Sequence, residues 1–227
     1  MTLLQISQLK KSYADPDGKV SSVIDIPTFE LGTDEQIALA GRSGCGKTTF
    51  LNLIAGILTP DSGSIRFDGR ELVGLSDAKR DRFRAHEIGY VFQSFFLLDG
   101  YSALENVLLG MMFGPGVDRK LAVSLLESLG LGSRLHHRPH QLSIGQKQRV
   151  ALARALAGKP RLVLADEPTG SLDGETAREA LDLLRNLCRE RGAALLIVSH
   201  DDEVLKALDR RIELAEINLA ATGALSR

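Results

Sequence analysis

The 227-residue sequence predicts an α/β fold, with a parallel sheet at its centre and a helical insertion near residues 94–155. Three observations predict it. A glycine-rich loop, G-R-S-G-C-G-K-T at residues 41–48, follows the apolar run Gln36–Ala40 and precedes a helix-like stretch over 48–55. Two later runs, 162–165 and 194–198, are apolar throughout, as parallel strands covered on both faces are. Between 103 and 129, Leu104, Val107, Leu108, Val123, Leu125, Leu126 and Leu129 recur at helical spacing.

The remaining elements follow in order. Residues 3–30 alternate in short apolar bursts broken by D-P-D-G at 15–18, a pattern of strands joined by tight turns. Residues 64–69 continue it. Residues 75–84 read as a helix with Ser76 as N-cap, and 88–93 as a strand. The helical stretch over 103–129 breaks at G-P-G, residues 114–116. Residues 146–156 and 176–191 are two more helices, and the tail over 220–227 is expected to fray.

Composition limits the function. The net charge is -1, which leaves no electrostatic footprint for nucleic acid. With 44% hydrophobic and 25% charged residues the chain has the balance of a soluble protein. No apolar run reaches the ~18 residues that span a bilayer, and the N-terminus has no signal-peptide pattern. Work at a membrane is therefore expected to need a partner. Cys45 and Cys188 are the only cysteines, so a reducing compartment is expected.

The chemistry starts at the loop. The spacing G-x-x-x-x-G-K-[ST] suits a turn whose backbone amides surround a nucleotide's phosphates at a helix N-terminus. Gly41, Arg42, Ser43, Gly44, Cys45, Gly46, Lys47, Thr48 and Thr49 are the candidate binding residues. Lys47 is placed to reach the β- and γ-phosphates and Thr48 to offer its hydroxyl to Mg²⁺. Cys45 is read as a small filler, since no activating base lies nearby in sequence. A second signal is R-L-V-L-A-D-E at 161–167, a hydrophobic strand ending in two carboxylates. Asp166 is the candidate Mg²⁺ residue, and Glu167 the candidate for activating water.

With L-S-I-G-Q at 142–146 and K-Q-R-V-A-L-A-R-A-L after it, the chain resembles the ATP-binding-cassette (ABC) ATPases along essentially its whole length. The resemblance implies a P-loop NTPase core with a parallel sheet, an N-terminal antiparallel β-subdomain and an inserted α-helical subdomain. Residues 1–227 would form one such domain, with 1–93 and 156–227 as core and β-subdomain and 94–155 as the helical part. It implies ATP and Mg²⁺ as cofactors, and Glu167, His200 and Lys47 as catalytic residues. Tyr13 matches the aromatic residue that stacks on adenine, although a strand-edge cover is its other reading. Gln93 matches the glutamine that senses Mg²⁺ and nucleotide, so Thr48, Gln93 and Asp166 form the metal set. Ser143, Gly145 and Gln146 match the signature that completes the opposite subunit's site. S-L-D at 171–173 matches the loop joining the two sites, and His200 the switch histidine. Ile144 departs from the family's usual glycine, which bears on the tightness of closure more than on the chemistry.

The implied partners are a second copy or a homologous ATPase, meeting head to tail, and an integral membrane permease; no nucleic acid is expected. The branch resembled most closely serves lipoprotein release, macrolide-type efflux and related mechanotransmission, implying a peripheral place on the cytoplasmic face of a bacterial inner membrane. Residues 93–113 are rich in apolar, aromatic and methionine side chains. Part of that stretch belongs to the helical lobe's core, and the rest suits a groove for a short permease helix. A soluble ABC ATPase acting on DNA or ribosomes is the rival reading. The long insertions of the DNA-acting members and the tandem cassettes of the ribosome-acting ones are both missing from this sequence. A regulatory protein without turnover conflicts with Lys47, Asp166, Glu167 and His200.

Overall fold

The computed structural model describes residues 1–114 and 116–222. The chain opens with two long strands, β1 (Thr2–Ala14) and β2 (Val20–Gly32), rather than several short ones. Register shifts between Thr2 and Leu4 and between Lys11 and Ser12 interrupt the alternation without ending either strand. The expected turn joins them, its Asp15 carboxylate accepting the amides of Asp17 and Lys19 at 3.0 and 2.8 Å. Strand β3 (Gln36–Ala40) is buried at every position and leads through the glycine loop into α1 (Lys47–Ile54). β4 (Ser62–Phe67) and the short β5 (Arg70–Glu71) follow. Helix α2 (Asp77–Glu87) begins after Ser76, whose carbonyl accepts the amides of Lys79 and Arg80 at 2.9 and 3.0 Å.

β6 (Ile88–Val91) ends before Gln93. Helices α3 (Ala103–Leu109) and α4 (Arg119–Ser128) start on side-chain caps from Ser102 and Asp118. The break between them is wider than the expected 114–116, and Pro115 lies outside the described residues. Two 3-10 turns, Gly132–Arg134 and Pro139–Gln141, precede α5 (Ile144–Ala157). Then come β7 (Leu162–Asp166), α6 (Gly174–Glu190) and β8 (Ala194–Ser199). The sequence reading has no elements after 198, but the chain continues through α7 (Asp202–Ala207), β9 (Arg210–Glu213), α8 (Leu214–Ile217) and α9 (Leu219–Thr222). Residues 220–222 of the tail expected to fray are thus helical, and 223–227 lie outside the described residues.

The chain divides into two compact units, Met1–Asp81 with the chain from Ile197 onward, and Arg82–Leu196. In the first, an antiparallel sheet runs in the order β2-β1-β4-β5, and β3 pairs in parallel with β9. Leu4, Ile6, Leu9, Ile24 and Ile26 form its apolar face. Phe50 of α1 is fully buried and meets Phe29 of β2 edge to face, centroids 5.4 Å apart. That contact anchors the helix following the glycine loop to the antiparallel sheet. In the second unit, β6 and β7 run parallel, Ile88 opposite Leu162 and Val91 opposite Ala165. Helices α3, α4 and α5 bury Leu104, Val107, Leu125, Leu126, Val150 and Leu152. Helix α6 turns Ala180, Leu181, Leu184, Leu187 and Cys188 inward, the stripe of an amphipathic helix. The α/β class, the antiparallel sheet and the parallel strands agree with expectation. Phe50→Ala should cost about 3–5 kcal/mol, read as a lower urea midpoint with unchanged slope.

Candidate functional site

Strand β3 delivers the chain to the glycine loop in the first unit. Gly46, at φ 101, is the N-cap residue of α1 and has no side chain with which to cap it. Helices α3, α4, α5, α6 and α7, by contrast, all begin on a capping side chain. The start of α1 therefore carries the helix's partial positive charge with no cap from its own N-cap residue. Lys47 is 8% exposed, and its ammonium donates to the carbonyls of Gly41 at 2.6 Å and Arg42 at 3.3 Å. Its charge is thereby held inside the curve of the loop. Arg42, Ser43, Gly44 and Thr48 face solvent, while Cys45, Gly46 and Thr49 are half-buried. A Cβ on Gly41 would lie 2.6 Å from the Cys45 sulfur, so the thiol fills space against Gly41. Tyr13, opposite Ser21 near the end of β1, is exposed, with Lys11 Nζ 5.7 Å from its ring centroid. His200 is exposed directly after β8; the next residue, Asp201, donates its amide to Ser199 Oγ at 3.1 Å and caps α7.

The second unit holds the carboxylates and the signature. Asp166 ends β7 at 6% exposure, and Glu167 follows at 8%. Glu167 takes φ 46, a left-handed conformation unusual for a residue before proline. Gln148 of α5 is buried and donates to the Pro168 carbonyl at 2.6 Å, tying the signature helix to the loop that carries Glu167. Tyr90 stacks on Phe92 at 4.1 Å, and burial, with the negative charge of Asp166 adding to it, pushes its phenol well above the ordinary value. Gln93 is exposed just beyond β6.

Ser143 and Gln146 form a capping box. Ser143 Oγ accepts the Gln146 amide at 3.2 Å, and Gln146 Oε1 accepts the Ser143 amide at 3.0 Å. Ile144 is the first helical residue, 54% exposed and outside the left-handed region, so its backbone does not need glycine. Gly145 is the tight position, where a Cβ would stand 2.7 Å from Thr176 Cγ2 of α6. Asp173 caps α6; hydrogen bonds from the amide and hydroxyl of Thr176 hold its carboxyl below the usual range.

Three polar residues of α5 escaped the sequence reading. Besides Gln148, Arg149 donates to the Leu129 carbonyl at 3.3 Å and pairs with Glu179 at 2.7 Å. Arg154 donates to the carbonyls of Phe95 and Phe96 at 2.7 and 2.6 Å. Phe96 itself has φ 44 and is exposed. The apolar stretch divides as expected between core and surface. Leu104, Val107 and Met111 are buried, whereas Phe96, Leu98, Tyr101, Met112 and Phe113 are exposed.

The model of the ABC transporter family matches residues 24–170. The chain belongs to this family. It is 44% identical over 218 residues to the lipoprotein-releasing system ATP-binding protein LolD of Hydrogenovibrio crunogenus, covering 94% of each chain. Two solved structures of the cassette MJ0796, each 34% identical and matched over 93% of this chain and 94% of that one, share its fold. The dimeric structure of a post-hydrolysis state bound to ADP and Pi aligns with TM-score 0.83. A second dimeric structure, described as a bacterial ABC transporter cassette, aligns with 0.85. This ABC cassette is accordingly the ATP-binding, ATP-hydrolysing subunit of a transporter. Among its described residues no helix is long and apolar enough to cross a membrane.

Two tests follow from the geometry. Burial pushes the Cys188 thiol up to about 12, so native iodoacetamide labelling at pH 8 should mark Cys45 alone, with Cys188 reacting only after denaturation. Peptide mass spectrometry reads the outcome. Gln148→Leu strands the Pro168 carbonyl beside Glu167. Turnover should then fall about tenfold with ATP affinity kept within about twofold, the loss expected when a group next to the chemistry loses its fixed position.

Proposed function

We propose that this ABC cassette powers a separate integral membrane permease of the lipoprotein-release kind, by ATP-driven closure of a head-to-tail dimer. The observation that carries the reading is the 44% identity to a lipoprotein-releasing ATPase across 94% of both chains. In this reading residues 1–227 are a single cassette, with 1–93 and 156–227 as its nucleotide-binding core and 94–155 as its helical part. The cassette sits at the cytoplasmic face of a bacterial inner membrane, held there by the permease. The exposed Phe96, Leu98, Tyr101, Met112 and Phe113 receive a short helix of that permease.

Residues 41–49 hold the phosphates, Lys47 answering the charge on the β- and γ-groups and Tyr13 stacking on adenine. Thr48, Gln93 and Asp166 offer oxygen donors only, the set that a hard divalent cation takes. Asp166 lies at a strand end and Thr48 faces solvent, which suits a metal arriving with nucleotide. Bound Mg²⁺ supplies charge neutralisation on the transferring phosphoryl group. Glu167 orients the attacking water and takes its proton, and His200 keeps the γ-phosphate and Glu167 in register. Ser143, Gly145 and Gln146 close the site of the opposite copy, be it a second copy or a homologous ATPase. The capping box uses Ser143 Oγ as an acceptor, which leaves its O–H hydrogen to donate to phosphate. Ile144 is exposed at that helix start and governs how closely it approaches the opposite copy.

Glu167→Gln should leave ATP binding intact, abolish Mg²⁺-dependent turnover and trap an ATP-bound dimer in light scattering. Turnover near wild type would remove Glu167 as the base. The native chain should also co-purify from membranes with an integral permease. Recovery with nucleic acid instead, in a salt-sensitive complex, would count against the transport reading.

A further inference from the structure

Asn218, between α8 and α9, is fully buried. Its Oδ1 accepts the Asp25 amide at 2.7 Å and the Ala220 amide at 3.3 Å, and its Nδ2 donates to the Val23 carbonyl oxygen at 2.9 Å. Both ends of the side-chain amide are thus paired, two of its three bonds reaching β2 across more than 190 residues of sequence. That same Val23 oxygen is what Gly46 rests against. A Cβ at Gly46 would lie 3.0 Å from it and 3.1 Å from Val23 Cγ1 and Ile24 Cδ1.

The other end of the loop meets the same C-terminal stretch. The parallel register pairs Ala40 with Glu213, which brings the fully buried Leu214 beside Gly41. A Cβ at Gly41 would lie 3.5 Å from Leu214 Cβ. Gly41 is supported by Leu214 directly, and Gly46 through β2 by Asn218.

We infer that Asn218 is a positioning residue for the phosphate loop. By fixing the Val23 carbonyl it fixes the surface on which Gly46 turns, and with it the start of α1 and the base of Lys47. A loop already held in its binding conformation binds without first having to be ordered. Without the clamp the loop spends part of its time in other conformations, and the apparent Kd rises in proportion to the lost competent fraction. The rate at saturating nucleotide should change little, because bound phosphates themselves restore the loop.

The test is binding of a fluorescent ADP analogue with Mg²⁺ to the full chain at low temperature, together with steady-state ATP hydrolysis. Asn218→Ala should raise the Kd and KM about three- to tenfold while kcat stays within about twofold. A merely structural role would lower the melting temperature and leave the Kd of the folded protein alone, and that result would overturn the inference. If Asn218→Ala does not accumulate folded, Asn218→Leu fills a similar volume, can neither accept from Asp25 nor donate to Val23, and carries the same expectation. On the unaltered chain, ADP should slow hydrogen exchange at the Asp25 amide; unchanged exchange also overturns the inference. A wild-type chain that binds no nucleotide would instead refute the site itself.

Discussion

The turn from β3 into α1 can be made only where a residue tolerates φ 101 with a carbonyl pressed against the space of a side chain, and Gly46 meets that demand. That one backbone conformation decides where α1 starts, where Lys47 is rooted, and why no side chain competes for the helix N-terminus. The surrounding elements of the first unit keep it in place. Phe50 locks the first turn of α1 to Phe29, the β9 register brings Leu214 beside Gly41, and Asn218 steadies Val23. The turn itself is a local motif, but the groups packed against it come from chain segments far away in sequence.

The second unit is organised around α5. This helix is buried on more than one side, contributing apolar core through Val150 and Leu152, while Gln148, Arg149 and Arg154 bind backbone carbonyls of Pro168, Leu129, Phe95 and Phe96. Carbonyls in irregular segments lack a ladder partner, and a donor on a rigid helix satisfies them at little entropic cost. The loop after β7, with Glu167 in a left-handed conformation, and the segment after Gln93 are therefore both referred to the same helix.

Legibility in the sequence follows the range of the interactions. Gln36–Ala40, the loop at 41–48 and the strand ending in Asp166 can be read locally, because each is fixed by neighbours in the chain. The signature at 142–146 is equally legible as a string, yet its capping box depends on a helix starting at Ile144, two residues earlier than the pattern suggests. The two long first strands hide behind their register shifts, since a bulge moves apolar residues out of phase. At Ile144 the backbone is helical and does not need glycine, so what the departure adds is an exposed side chain; the position with no room is Gly145, against Thr176. Gln148, Arg154 and Asn218 were not legible at all. Whether a single polar side chain turns inward depends on which carbonyl the fold brings opposite it, and no spacing rule encodes that.

The grip of Arg154 on two consecutive carbonyls has a mechanical side. Charge-assisted hydrogen bonds of 2.6 and 2.7 Å to adjacent peptide groups hold the backbone that bears the exposed Phe96 side chain. The segment that bears Phe96 and the loop after Glu167 are in this way fastened to the same rod, the second through Gln148 of α5.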